Sequence, residues 1–180
     1  MAKERIITIS ILALIILAAA AFTYYFVFVQ SHVREDAAAS RALKTGDGVA
    51  SYTDINGETR TLDDFLGNVL VVSSWASWCP QCASDLPQLA SLAAEFDNEK
   101  VTFIAINRSE NRFTAQRFLE SIDSTETLEI VLDPDDHFFT SNEGYAMPET
   151  ILYDREGNTL LHQRGELRVD VLREAINQAL

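Results

Sequence analysis

Apolar and polar residues fall into three regimes along this 180-residue chain. Residues 6–29 contain only Thr8, Ser10 and Thr23 outside the apolar set and carry no charge. As a helix this run extends about 36 Å, enough to cross a hydrocarbon core of about 30 Å. Tyr24 and Tyr25 lie near its far end, where amphipathic rings favour the interface. The pattern predicts one N-terminal transmembrane helix that anchors the chain in membrane lipid. The alternative is a signal peptide cleaved after the Ala18–Ala21 run, but FTYYFVFV continues apolar beyond it and makes a stretch too long for an ordinary signal. Lys3 and Arg5 at the near flank favour a cytoplasmic segment 1–5, although Arg34, Arg41 and Lys44 nearly balance them. Residues 30–48 are polar and alanine-rich, ending in Gly46-Asp47-Gly48, and read as a linker.

From residue 49 onward the pattern changes to short apolar runs separated by turn signals. Ser51–Ile55 and Glu58–Thr61 flank Asn56-Gly57, which predicts a β-hairpin with positive φ at both turn positions. Asn68–Trp75 and Val101–Asn107 are continuous apolar runs that suit strands buried on both faces. Between them, Pro80–Asp97 places Leu86, Leu89, Ala90, Ala93 and Phe96 at helical spacing. Thr114–Ile122 predicts a second helix and Glu129–Leu132 a short strand. A helical or irregular piece through Phe138 and Phe139 leads to Met147-Pro148. Glu149–Asp154 and Thr159–Gln163 are strands joined by a turn, and Arg168–Leu180 is an amphipathic helix with Val171, Leu172, Ile176 and Leu180 inward. Strands alternating with helices imply parallel pairing and the closing hairpin adds antiparallel strands, so the class is α/β, a mixed sheet flanked by helices.

Composition narrows the functions. Residues 31–180 carry 12 basic and 26 acidic groups, a net charge of −14. That excess argues against nucleic acid, whose phosphates need a basic surface. The roughly 130 residues after the linker suit one domain with a real core.

The chain has two cysteines, in the order Cys79-Pro80-Gln81-Cys82. They stand between a buried strand and the start of a helix. Pro80 fits the first helical position, which puts Cys79 at the N-cap, facing free backbone N–H groups and the positive end of the helix dipole. Both effects lower a thiol pKa below its free value of about 8.5. Cys82, one turn further in, is near enough to close a disulfide and less accessible. A purely stabilising disulfide would close so short a loop that it constrains little of the unfolded chain. Zinc needs four ligands as a rule, and only His32, His137 and His162 accompany the pair, so no metal site is expected.

Trp75-Ala76-Ser77-Trp78-Cys79-Pro80-Gln81-Cys82 resembles the W-A-x-W-C-x-x-C stretch of the thioredoxin superfamily. Asp85-Leu86-Pro87, Gly144-Tyr145-Ala146-Met147-Pro148-Glu149-Thr150 and Asp154-Arg155-Glu156-Gly157 are similar to elements of its TlpA/ResA/DsbE-like branch of membrane-tethered thiol–disulfide oxidoreductases. The resemblance implies a thioredoxin-like domain over residues 49–180 with an N-terminal β-hairpin extension, no cofactor, and a redox-active Cys79–Cys82 disulfide. It makes Cys79 the nucleophile, Cys82 the resolving cysteine and Pro148 a cis-proline. Met147 then presents its backbone to a substrate peptide, Trp78 walls the sulfurs, and Asp85 exchanges a proton with Cys82.

On the bare sequence a solvated Asp85 is the competing reading, and strand-edge solvation accounts equally well for Glu149. His137 and His162 read as surface or turn residues. Ser73 stands where thioredoxin itself has a buried aspartate.

The implied partners are disulfide-bearing exported proteins, apocytochrome c among them, and a membrane thiol–disulfide electron donor. The implied location is the cytoplasmic membrane, single-pass, with the domain on the extracytoplasmic side. A thiol peroxidase on the same fold and a tethered interaction module with a structural CxxC are the alternatives.

Overall fold

The computed structural model describes residues 22–24, 50–97, 100–122 and 125–180. The chain divides into two units, Met1–Ser40 and Arg41–Leu180. In the first, residues 22–24 are helical. The rest of the predicted anchor, the linker and segment 1–5 lie outside the described residues. No helix among the described residues is long and apolar enough to cross a membrane.

The second unit is a seven-stranded sheet with helices on both faces. Its strands are β1 (Ser51–Asp54), β2 (Thr59–Thr61), β3 (Val69–Trp75), β4 (Val101–Arg108), β5 (Glu129–Asp133), β6 (Glu149–Tyr153) and β7 (Thr159–Arg164). Its α-helices are α1 (Cys82–Glu95), α2 (Arg112–Leu119), α3 (His137–Ser141) and α4 (Val169–Ala179), and a 3₁₀ turn spans Leu62–Phe65. The spatial order is β2-β1-β5-β4-β3-β6-β7. β3, β4 and β5 run parallel, and the remaining pairings are antiparallel. The predicted mixed sheet and its N-terminal hairpin extension are both present.

Alternation along the buried strands assigns the two faces. Val69, Val71, Trp75, Phe103, Ala105 and Leu152 pack with Leu86, Leu89 and Leu92 of α1, Ala115 of α2 and Leu172 and Ile176 of α4. Leu70, Val72, Ile104, Ile106, Ile151 and Tyr153 pack with Leu62 and with Phe138 of α3. Full burial of each such aliphatic side chain contributes about 2 kcal/mol. That is why β3, buried along its whole length, reads in the sequence as an unbroken apolar run.

Three local expectations change. In the hairpin, Gly57 adopts φ +97° and Asn56 does not share the positive φ. The Asp54 carboxylate instead closes a four-residue loop by accepting the N–H groups of Asn56 and Glu58, both at 2.8 Å. Helix α2 begins at Arg112 because the Asn111 side chain accepts the Thr114 N–H at 3.0 Å and so sets the cap two residues earlier. In α4, Leu172 and Ile176 are buried as expected, but Val171 and Leu180 are each 41% exposed. The inward stripe runs through Val169, Leu172, Ala175, Ile176 and Ala179, and Val171 sits about 100° from Leu172 around the helix.

Candidate functional site

The parallel pairing of β3 with β4 brings the C-terminal ends of both strands to one end of the sheet, with Trp75 beside Asn107. β6 runs antiparallel to β3 and starts at that same end, with Glu149 opposite Ser74. Everything predicted to carry chemistry leaves the sheet there. The segment after Trp75 bears Trp78, Cys79 and Cys82, and the segment before Glu149 bears Met147 and Pro148.

Cys79 and Cys82 form a disulfide, with Cα atoms 5.4 Å apart. Cys82 is fully buried and Cys79 is 3% exposed, so Cys79 is the more accessible of the two. The expected cap geometry needs one correction. Helix α1 proper starts at Cys82, and Gln81 rather than Cys79 is the flanking residue. The lead-in is a tight turn, because the amides of Cys82, Ala83 and Ser84 bond to carbonyls three residues back. The electrostatic consequence nonetheless holds at the sulfur, where the Cys82 N–H lies 3.2 Å from Cys79 Sγ. A backbone donor therefore points at the atom that would carry the thiolate charge.

Asp85 is not a solvated helix carboxylate. It is 4% exposed and satisfied on both oxygens. Oδ2 accepts the Leu167 N–H at 2.8 Å, tying α1 to the loop between β7 and α4. Oδ1 accepts Gln81 Nε2 at 2.8 Å, so the residue between the cysteines bonds the carboxylate one turn on.

Trp78 is 58% exposed directly before Cys79. Behind it, the Arg108 guanidinium lies 5.9 Å from the Trp78 ring centroid and 3.4 Å from that of Phe139. Arg108 is held in a two-point pair with Asp136, through Nε to Oδ1 at 2.9 Å and Nη2 to Oδ2. Asp133 fixes the start of α3, and hence Phe139, by accepting the N–H groups of Phe138 and His137. Burial pushes the Asp133 carboxyl up from its ordinary range, against those two bonds.

The Met147-Pro148 peptide bond is cis, as the resemblance implied. Among the described residues the backbone N–H and carbonyl of Met147 make no hydrogen bond, leaving one edge of the chain free for pairing. Gly144 has a packing reason as well, since a Cβ there would lie 2.6 Å from the Phe139 ring.

Glu110 carries no sequence signal, and Glu149 and His162 sit differently from what the sequence suggests. Glu110, after β4, accepts the Ser77 N–H at 2.9 Å, the Ser77 hydroxyl, and Asn107 Nδ2 at 2.7 Å. It thereby pins the loop that presents Trp78 and Cys79, and a single acidic residue past a strand gives no sequence signal of that role. Glu149 overturns the strand-edge reading. It is 2% exposed and accepts the N–H groups of Tyr145 and Ala146 at 2.9 and 3.1 Å. His162 is no surface residue either, for its Nε2 meets Glu149 Oε2 at 2.9 Å. His137 starts α3 with a half-exposed side chain. His32 lies outside the described residues. Ser73 bonds Thr150 across β3 and β6 at 2.9 Å.

A joined cysteine pair opening a helix at the end of a mixed sheet, with a cis-proline entering from the neighbouring strand, gives the expected thioredoxin-like oxidoreductase its geometry. A family model described as Redoxin matches residues 37–176, and the chain belongs to that family. Within it, the chain is a TlpA/ResA/DsbE-like member of the thioredoxin superfamily. It is 26% identical over 157 residues to the thiol-disulfide oxidoreductase ResA of Geobacillus kaustophilus, covering 86% of this chain and 84% of the relative. It is 32% identical over 120 residues to the thiol:disulfide interchange protein DsbE of Allochromatium vinosum, covering 66% and 64%. The structure of MTB dsbF in its mixed oxidized and reduced forms is alike in fold, with TM-score 0.66 and 21% identity over 78% of this chain and 98% of that one.

Proposed function

We propose that this protein is a thiol–disulfide oxidoreductase that reduces disulfides in exported proteins. The observation that carries the reading is the Cys79–Cys82 disulfide itself, with Cys79 at the accessible edge and a backbone N–H aimed at its sulfur.

In the reduced enzyme the Cys79 thiolate attacks one sulfur of the substrate disulfide. A Cys79–substrate mixed disulfide forms, and the other substrate sulfur leaves as a thiolate that takes a proton from solvent. Cys82 then gives up its proton, with Asp85 as the acceptor, and its thiolate attacks Cys79 Sγ. The substrate leaves as a dithiol and the Cys79–Cys82 disulfide is restored, to be reduced again by an external dithiol donor. Throughout, Met147 offers its free backbone to the substrate chain and Trp78 supplies an apolar wall.

Residues 6–29 tether the enzyme to the cytoplasmic membrane, with the domain on the extracytoplasmic side. The support for this is the length and charge pattern of the apolar run. The resemblance supports apocytochrome c as one of the substrates and a membrane thiol–disulfide protein as the donor.

The direction of exchange is tested by equilibrating the pair with dithiothreitol or glutathione buffers. A reductant has a potential below about −200 mV, whereas a value near −120 mV belongs to a strong oxidant and contradicts the reading.

A further inference from the structure

Glu149 is the hub of a small polar cluster on the side of the cis-proline away from the cysteines in sequence. Its Oε1 takes two backbone N–H groups from Tyr145 and Ala146, the two residues that lead into Met147. Its Oε2 meets His162 Nε2 at 2.9 Å, and Arg164 Nε lies 3.6 Å from Oε1. His162 and Arg164 both come from β7, and the β6–β7 register fixes them on the face that Glu149 occupies, with Arg164 opposite Glu149 and His162 opposite Ile151. The ladder continues past the strand, because the Gly165 N–H bonds the Pro148 carbonyl at 2.8 Å. The Arg164 guanidinium also lies 5.0 Å from the centroid of the exposed Tyr145 ring.

A carboxylate that is 2% exposed must have its oxygens satisfied, or it relaxes toward other donors. The two loop amides occupy one oxygen, and His162 supplies the close partner on the other. Without that partner, the carboxylate is free to rotate toward Arg164 and to release the amides. The loop amides and the unbonded backbone of Met147 lie within three consecutive residues. Holding the first two fixes the direction in which the third presents its N–H and carbonyl.

We infer that His162 is a positioning residue for substrate: acting through Glu149, it holds Tyr145–Met147 in the geometry that pairs with a polypeptide beside the disulfide. This rests on the reading of Met147 as the docking backbone. The substrate class it serves is an extended peptide flanking a disulfide, and a disulfide without a peptide backbone gains nothing from it.

The test compares the full-length protein with His162→Ala and His162→Gln, whose amide N–H can reach the same carboxylate. Two oxidised probes are used, a synthetic peptide with an internal CxxC disulfide and hydroxyethyl disulfide. The inference predicts that His162→Ala raises KM for the peptide about fivefold, the equivalent of one lost hydrogen bond, and leaves the rate with hydroxyethyl disulfide unchanged. His162→Gln restores the peptide KM. Hydrogen exchange of the Tyr145 and Ala146 amides accelerates in the alanine variant and reverts in the glutamine variant. Equal slowing with both probes, an unchanged peptide KM, or unaltered exchange at the two amides overturns the assignment while leaving the exchange chemistry intact. Wild-type protein that reduces hydroxyethyl disulfide but not the peptide overturns the docking reading itself, and the assignment with it.

Discussion

Glu110 grips Ser77 twice, taking its N–H at 2.9 Å and its hydroxyl with the two oxygens of one carboxylate. Ser77 is two residues before Cys79, so the contact fixes the loop that carries the sulfur rather than the sulfur itself. Removing the carboxylate also strands Asn107 Nδ2, which is fully buried. Glu110→Ala is expected to lower stability by about 2–4 kcal/mol and to slow disulfide exchange. Glu110→Gln, which keeps an acceptor for the Ser77 amide, recovers part of both. Urea unfolding and turnover measured side by side check the pairing, and a stable Glu110→Ala protein with full activity contradicts it.

The proton transfer proposed for Asp85 can be separated from its structural bond to Leu167. Asparagine keeps an oxygen for the Leu167 N–H but cannot accept a proton, so Asp85→Asn is expected to stay folded and yet resolve the mixed disulfide at least about tenfold more slowly. The slowing is greatest at neutral pH and shrinks as alkaline solution ionises Cys82 directly. Stopped-flow measurement of substrate release across pH checks this. A uniform slowing at every pH would assign Asp85 to structure alone.

Trp78 is 58% exposed and directly precedes Cys79 in the chain. Trp78→Ala is therefore expected to leave the urea midpoint unchanged and to raise KM for a peptide disulfide by about fivefold or more, as loss of an aromatic anchor does. Kinetics with the peptide and an unfolding curve decide the point.

Much of this was written in the sequence, and the reason is physical. β3 is buried on both faces, so its run of valines has one reading, and the cysteines that follow can stand only at the sheet's end. α1 and the core residues of α4 follow from helical spacing alone. Three polar residues around the site differ from the sequence expectation for one reason. Glu110, Glu149 and His162 are polar groups whose roles are set by partners brought to them by the fold: Glu110 meets Ser77, 33 positions away, and Glu149 and His162, 13 positions apart, meet through the β6–β7 register. Periodicity reports burial of apolar residues and is silent on polar ones satisfied across strands. The hairpin turn differs for a local reason, because the Asp54 carboxylate closes a longer loop in which only Gly57 needs a positive φ.

Acid should loosen that hairpin. The Glu58 N–H, with further amides of the same loop, holds the Asp54 carboxyl below its ordinary pKa of 3.8. A group whose pKa is lower in the folded state contributes stability that is complete above its unfolded value and is lost as pH falls through the folded one. Wild-type stability should thus decline below about pH 4, and Asp54→Asn should be less stable near neutrality but less sensitive to acid. Urea midpoints near pH 7 and pH 3 provide the comparison, and equal acid sensitivity in the two proteins would contradict the assignment.

The division of labour between the two sulfurs is the centre of the account, and trapping tests it most directly. Reduced Cys82→Ser and Cys79→Ser proteins are mixed with a peptide disulfide, quenched with acid and weighed intact. The account predicts a covalent enzyme–peptide adduct that persists with Cys82→Ser and none with Cys79→Ser. Adducts on both variants, or on neither, would contradict it.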